Sequence, residues 1–477
     1  MLASGLVGQF GPAMLALVLL AASVSAHTIH ESQFKPKDII TKDVAVIGGG
    51  ASGTYAAVRL KDKGKTVALI EQKNHLGGHV DTYTDPATGI PIDYGVRAYV
   101  DLPGVKEFFG RFNITTVPIA NPPFQNVYID FTTGKVVAGY PKGDQTDVGI
   151  ALTVYAQLAA KYNDYYFPGF WKLTTDPVPE ELSMPFGQLV KKYNLTAALP
   201  VIWTFASGVG DFENVPSFYV FYNFGAAVVQ SVLTGTLIVP SSHNNSMLYA
   251  AAQEYLVSDT LLNSMVSHAS RDDKGVKLVV KTPTGTKLIK AKKLLVTIPP
   301  TEQNMYPFGL GNREKSIFAK WRWENWYVAI FKGSGLPANL TLVNSRPNPG
   351  SLYAPKPNFV GSYTFTGIGD LYSTQVVGKR DLSAKGAKDL IRAGLRNINT
   401  AGTYATKRID FVAWAKHAPL QLEVSAKELV CGFYKELYSL QGRKSTWYTG
   451  AAWAPDYTSI LWVFTEATIL PGLLAGL

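Results

Sequence analysis

Residues Asp43 to Tyr83 read DVAVIGGGASGTYAAVRLKDKGKTVALIEQKNHLGGHVDTY. Asp43 to Ile47 is an apolar run of the kind found in a buried parallel strand. Gly48, Gly50 and Gly53 follow with G-x-G-x-x-G spacing. The first glycine allows a tight turn, and the second lets main chain approach a pyrophosphate. The third lets the following helix pack close to the strand. Ala51 to Lys63 has helical composition, and the free N–H groups at its start, around Ala51 and Ser52, suit phosphate. Thr66 to Ile70 reads as a second strand. Glu71 ends it where an acid accepts hydrogen bonds from an adenosine ribose. Glycine spacing alone is a weak signal, because glycine-rich turns occur in many loops. Strand, helix, second strand and terminal acid together point to dinucleotide binding. Glu71 also disfavours a cofactor with a 2′-phosphate, since two negative charges would meet there.

The chain has 477 residues, enough for two or three domain-sized cores. A hydrophobic content of 47% with 17% charged residues excludes a disordered chain. Aromatic residues reach 12%, enough to line a pocket for flat or apolar ligands as well as to fill a core. Net charge is +10, but the basic residues are scattered with no block of five. That pattern describes a solvated surface rather than a nucleic-acid interface. The seven histidines form no metal-binding motif. Cys431 is the only cysteine, so no intramolecular disulfide is possible. It lies in Ala426–Leu440, whose helical periodicity predicts a buried small hydrophobe.

Met14 to Ala22 is an apolar run followed by Val24-Ser25-Ala26, a small-residue cleavage pattern. Residues 1–26 therefore read as a secretory signal, although no Lys or Arg precedes Lys35. Sequons at Asn113, Asn194, Asn244 and Asn339 fit a secreted glycoprotein.

Further along, Pro122, Pro123, Gly134 and Gly139 mark hairpin turns. Residues 147–162 and 205–233 read as helical, the second stretch being rich in Phe and Tyr that form core or line a pocket. Ser246 to Leu262 reads as a helix, and 266–280 as strand, turn and strand. Trp321, Trp323, Trp326 and Tyr327 predict an aromatic strand. Asp381 to Ile398 predicts an amphipathic helix, weakened by Gly386 and Gly394. Asp456 to Leu470 predicts a final helix with Asp456, Thr458 and Ser459 as capping candidates. Glu466 and Pro471 argue against reading it as a membrane anchor.

The runs VAVIGGGASGTYAA and LGGHVDTY resemble the flavin-containing amine oxidase superfamily. They look closest to the fungal subgroup that includes β-cyclopiazonate dehydrogenase, and more distantly like the polyenoic fatty acid isomerases. The resemblance implies FAD. It implies an α/β fold in which a Rossmann-like FAD-binding domain, built on a parallel sheet, is interleaved with an α+β substrate domain. On that pattern residues 27–117, 241–301 and 408–477 form the FAD-binding domain, and 118–240 and 302–407 the substrate domain.

The resemblance also assigns roles. The family's R-x-G-G-R segment wraps the FAD pyrophosphate; here it is His75-Leu76-Gly77-Gly78-His79, with both arginines replaced. Gly77, Gly78 and His79 would contact pyrophosphate, and His79 could instead tether the flavin covalently. Asp93-Tyr94-Gly95 resembles the segment where main chain nears the flavin ring, so Gly95 is a cofactor residue. Val266 would contact adenine through its backbone, and Lys293 to Pro300 resembles the strand leaving the FAD domain. The final helix, with Thr458 and Ser459, would aim its positive end at the flavin pyrimidine carbonyl. Arg97 is a candidate ligand for a substrate carboxylate, or a structural arginine held by carbonyls. His417 borders the active site or is a satisfied structural histidine.

The implied chemistry is hydride transfer from an apolar small-molecule substrate to flavin N5, with dioxygen as acceptor. Two departures set ordinary amine oxidation aside. The strand Trp326 to Phe331 carries Ala or Val where the family places an N5-side lysine, and Lys332 is out of phase. Gly450 is followed by Ala451 rather than an acid. A double-bond isomerase and a flavin-binding protein without turnover therefore stand as alternatives.

Overall fold

The computed structural model describes residues 29–120, 124–348 and 352–477. The signal-like residues 1–26 and the turn residues Pro122 and Pro123 lie outside the described residues.

Local sequence dictates the first unit. β1 (Ile39–Ile47) ends in four buried apolar residues, and α1 (Ala51–Asp62) follows at Gly50. β2 (Val67–Ile70) is buried throughout. β1 pairs in parallel with β2, Val44 opposite Val67, and on its other side with Gly285–Val296, Val44 opposite Lys293. The sheet order is Met265–Asp272, Gly275–Thr282, Gly285–Val296, β1, β2, Thr260–Leu261. Thr446–Tyr448 adds a further parallel strand against Gly285–Val296. Three separate stretches of chain thus interleave into one mixed sheet. α1 and the final helix cover it, with Trp462 stacked on Tyr55.

A second sheet runs Asp410–Lys416, Arg322–Lys332, Tyr372–Gly378, Phe359–Phe365, Leu340–Asn344, Gln125–Asp130, Lys135–Val136. The helix Ala384–Thr400 lays Ala387, Ile391, Leu395 and Ile398 on this sheet. Its internal Gly394 has a packing cause: a Cβ there would collide with the Tyr363 hydroxyl, which donates to Ile391 O at 2.7 Å.

Several expectations change. The helix from Ser246 ends at Tyr255 rather than Leu262, because Thr260–Leu261 peels off to pair with β2. The aromatic stretch is three helices, Leu199–Ala206, Ser217–Asn223 and Ala226–Thr234. Gly210, at φ +74°, lies in the first break. Phe212, Phe218, Tyr219, Phe221, Tyr222 and Phe224 are core, and only Phe205 reaches the cavity described below. Ala426–Leu440 is two short helices broken by Gly432 at φ +85°, which leaves Cys431 exposed, not buried. The final helix begins at Thr458 with Tyr457 as its N-cap, so Asp456, Thr458 and Ser459 supply no side-chain cap. It continues through a π turn at Thr465–Ile469 to Leu474. The return to the first sheet also falls later than residue 408. Asp410–Lys416 and Leu420–Glu423 both pair with Arg322–Lys332, and the chain rejoins the first sheet only at Thr446.

Candidate cofactor and substrate site

One cavity of about 1050 Å³ opens between the two sheets and takes wall residues from both. Its volume reaches the top of the roughly 300–1,000 Å³ usual for one small molecule, so there is room for a cofactor and a substrate together.

The first end is a glycine cradle. Gly48, at φ +99°, makes the turn after β1. Gly53 does not line the cavity; a Cβ there would strike Gly48 O, so its role is to let α1 sit against the turn. A Cβ on Gly78 would come within 2.7 Å of Gly50 Cα, so the two glycine segments touch main chain to main chain. Gly77 N donates to Gly49 O at 2.8 Å and fixes that contact. Ala51 and Ser52 line the wall at the first turn of α1, and the buried Ser52 hydroxyl has no partner. Glu71 is buried on the wall, accepting from Gly49 N at 2.6 Å and from Lys73 N at 2.7 Å. Lys73, which the sequence reading passed over, donates through Nζ to Gly78 O at 2.7 Å and closes the cradle. Val266 lies on the same wall, beside a bulge in its strand.

The middle of the cavity holds His79, Gly95, Arg97 and His417 together. Residues 79–81 run alongside 94–96, with Val96 N donating to His79 O at 3.1 Å and Tyr94 N to Asp81 O at 3.0 Å. Any side chain at Gly95 would collide with His79 O, and its Cβ would lie 3.1 Å from His417 Cε1. The His417 ring is buried and hydrogen-bonded through Nε2 to Asp81 at 2.6 Å. The His79 ring stacks on it at 4.5 Å. Burial, followed by the nearby His417 and Lys73, holds the His79 imidazole well below its ordinary pKa, so it is neutral. Burial pushes Asp81 up, but the His417 hydrogen bond and Lys73 pull harder, and the carboxyl ends below its ordinary value. Asp93 does the opposite: burial pushes it up to about 6, although Thr82 and the Asn245 N–H hydrogen-bond it. Arg97 sits deep in the molecule, yet its surface is open to the cavity. Burial works against its charge and Asp93 offsets part of that. It donates to Ser373 Oγ at 2.9 Å and keeps further donors for a ligand.

The far end is aromatic and amide-rich. Trp203, Phe205, Trp326 and Val328 line it with Asn223, Gln375 and Gln421. On the strand Arg322–Lys332, Val328 rather than Ala329 faces the cavity, and Lys332 is exposed beyond it. Lys416 of the neighbouring strand borders the cavity, but it pairs with Tyr327 and its Nζ lies over the Tyr327 ring, 6.0 Å from the centroid, so its side chain is on the face of the sheet away from Val328. Gly450 and Ala451 line the turn, and Thr458 lines the start of the final helix. Ser459 is fully buried off the cavity, its hydroxyl without a partner. Among the described residues no group of three or more His, Cys, Asp or Glu could hold a metal ion.

Bare main chain along the Gly48–Gly50 and Gly77–Gly78 turns, an unpartnered buried hydroxyl at a helix start and a ribose-position acid fit FAD.

Comparison with known proteins agrees. Residues 46–112 match the family of NAD(P)-binding Rossmann-like domains. FAD-dependent oxidoreductase oblC of Cochliobolus heterostrophus is 37% identical over 478 residues, covering 96% of this chain and 97% of its own. The β-cyclopiazonate dehydrogenase of Aspergillus flavus is 34% identical, with 91% of this chain and 93% of its own covered. Among solved structures, a CLA-producing fatty acid isomerase from P. acnes superposes with a TM-score of 0.72 at 18% identity, covering 90% of this chain and 98% of its own. Wild-type putrescine oxidase bound to putrescine gives 0.62 at 16% identity, covering 92% and 98%. The two structures show the shared amine-oxidase-like fold. The chain belongs to the family of FAD-dependent oxidoreductases. It is an enzyme and its cofactor is FAD.

Proposed function

We propose that the chain is a secreted FAD-dependent oxidase that takes a hydride from an apolar, aromatic-bodied organic substrate and passes the electrons to dioxygen. The observation that carries this reading is the continuity of the glycine cradle with the Trp203, Phe205 and Trp326 chamber in one cavity. FAD, when bound, supplies two-electron acceptance at N5. Gly48, Gly50, Ala51 and Ser52 would hold its pyrophosphate from one side, and Gly77, Gly78 and His79 from the other. Glu71 would take the ribose and the Val266 backbone the adenine. Gly95 would leave space for the ring, and the helix end at Thr458, packed by Ser459, would face its pyrimidine.

The residues of this chain then do three things. A neutral His79 can accept or donate a hydrogen bond without bringing charge to the cofactor. Arg97 offers a cation to an acidic group of the substrate. Trp326 and Val328, without a lysine between them, keep that wall apolar and exclude water. The relatives named β-cyclopiazonate dehydrogenase support a dehydrogenation. Secretion is supported by sequon residues Asn113, Asn194 and Asn339, which stand exposed at turns with φ of 56°, 51° and 62°.

The test begins with the secreted protein's absorption spectrum before and after acid precipitation. A yellow protein that bleaches anaerobically with substrate and yields peroxide in air supports the reading. A folded, colourless protein that takes up no FAD refutes it. Unchanged substrate mass with moved double bonds, or no bleaching by any candidate, replaces it with the isomerase or the non-catalytic alternative.

A further inference from the structure

The cavity wall carries one carboxyl group that the proposed function leaves without a task. Asp456 lies between the Gly450 turn and the final helix, with its side chain on the cavity. It makes no hydrogen bond or ion pair with any described residue. The residue is half-buried, its carboxyl open only where it meets the cavity, so a ligand filling the cavity takes it out of water and must then supply the missing donor.

The neighbouring groups do not supply it. Tyr222 and Tyr457 are the titratable groups that sense its charge, and both are held protonated. The Tyr457 hydroxyl is spent on Asn223 O at 2.6 Å. Asn223 Nδ2 donates to Tyr219 O at 2.6 Å and to Gln421 Oε1 at 2.9 Å, and Gln421 Nε2 returns a bond to Asn223 Oδ1. The Tyr457 hydroxyl and both N–H groups of Asn223 are therefore engaged away from Asp456. Burial alone pushes the Asp456 carboxyl up to about 6.

The wall is continuous with the substrate chamber. Gly208 sits between the Gln421 amide and the Trp326 ring, where a Cβ would meet them at 2.7 and 3.0 Å. Asp456, Tyr457, Asn223, Gln421 and Trp326 thus form one surface.

We propose that Asp456 accepts a hydrogen bond from an N–H or O–H group of the substrate, so that the site takes an aromatic compound bearing an acidic group for Arg97 and a protic donor for Asp456. This rests on the oxidoreductase reading above, with Arg97 as the anion ligand. Asp456 is then a specificity residue that selects and orients a substrate by one bond.

The test uses the holoenzyme and a matched pair of probes, indole-3-propanoate and 1-methylindole-3-propanoate. They share ring and carboxylate and differ in a single N–H donor. Binding is read from the perturbation of the flavin spectrum. The parent enzyme should prefer the N–H probe by roughly tenfold or more, as a bond to a charged acceptor provides. Asp456→Ala should bind both alike with its FAD content intact. Asp456→Asn, which keeps the shape with a neutral acceptor, should show a reduced preference. Arg97→Gln should weaken both probes and leave their ratio unchanged. Equal binding of the pair by the parent overturns the proposal, as does a preference that survives Asp456→Ala. An Asp456→Ala protein that loses FAD while keeping the ratio also overturns it, by placing the carboxyl on the cofactor. A parent holoenzyme that binds neither probe overturns the substrate class and leaves the FAD reading standing. A parent protein without FAD sinks the reading beneath it.

Discussion

Replacing Gly78 by alanine tests whether the two glycine segments are held together for the cofactor. Gly78 has φ +59°, and an alanine in that conformation costs about 1–2 kcal/mol wherever it occurs. Gly64 provides the control. Its φ is +74°, and a Cβ there meets nothing within 4 Å. Gly64→Ala therefore carries the conformational cost alone. At Gly78 the new Cβ would also lie 2.7 Å from Gly50 Cα, where carbons ordinarily sit about 3.5–4.0 Å apart. Main chain cannot rotate out of the way, so roughly 1 Å must be opened between the segments. That stretches the Gly77 N to Gly49 O bond, now 2.8 Å. Overpacking of this kind costs about 1–3 kcal/mol. Spent on the cofactor site, it weakens FAD binding about 5- to 150-fold. The assay is reconstitution of apoprotein with FAD, followed by flavin fluorescence, with thermal unfolding of the apoproteins alongside. Both variants should unfold slightly below the parent, and only Gly78→Ala should lose FAD affinity. Affinity within twofold of Gly64→Ala would refute the argument that close main-chain approach shapes the cradle.

Other expectations follow from charge and exposure. Arg97→Gln should raise KM for a carboxylate-bearing substrate by roughly tenfold or more while FAD content, read by absorbance, stays at the parent level. Burial, then the charge of Glu324, pushes the Glu423 carboxyl up to about 8. Its folded pKa is raised, so the stability it gives is complete below the unfolded value near 4.3 and is lost as pH rises through about 8. Glu423→Gln should therefore unfold at a higher temperature than the parent at pH 9 and show no such gain at pH 5, by calorimetry. Protein secreted from a fungal host should lose the mass of three N-glycans on enzymatic deglycosylation, at Asn113, Asn194 and Asn339. Asn244, half-buried with its side chain accepting from Ser246 N at 3.0 Å, should be spared, and peptide mapping decides it.

The half of the site that was legible in the sequence is the half built by near neighbours in the chain. β1, the Gly48 turn, α1 and Glu71 occupy 33 consecutive positions from Ile39 to Glu71, and each element is set by its own residues. Gly77, Gly78 and Gly95 were picked out by the family resemblance, and the structure gives its reason for Gly78 and Gly95, where main chain touches main chain. The other half depends on register. Gln375 faces the cavity because it pairs across from Val328, some fifty positions earlier, and nothing in the strand Tyr372–Gly378 announces that partner. The strand Asp410–Lys416 carries an unbroken apolar run, Phe411 to Ala415, as β1 does, and such a run does not say which sheet it joins, so the boundary at residue 408 falls ahead of the rejoining strand at Thr446. Cys431 was misread because a lone Gly432 outweighed fifteen residues of helical pattern. Asp456 was read as a cap because Asp precedes many helices, but Tyr457 takes that position and frees the carboxyl. This division has a consequence for mutagenesis. Substitutions in the locally built half should change how much FAD the protein carries. Substitutions in the half assembled by register, at Trp326, Gln375, Gln421 or Asp456, should change which substrate is bound at constant FAD. A register-half variant that empties the protein of FAD would show that the two halves are one coupled site rather than two joined ones.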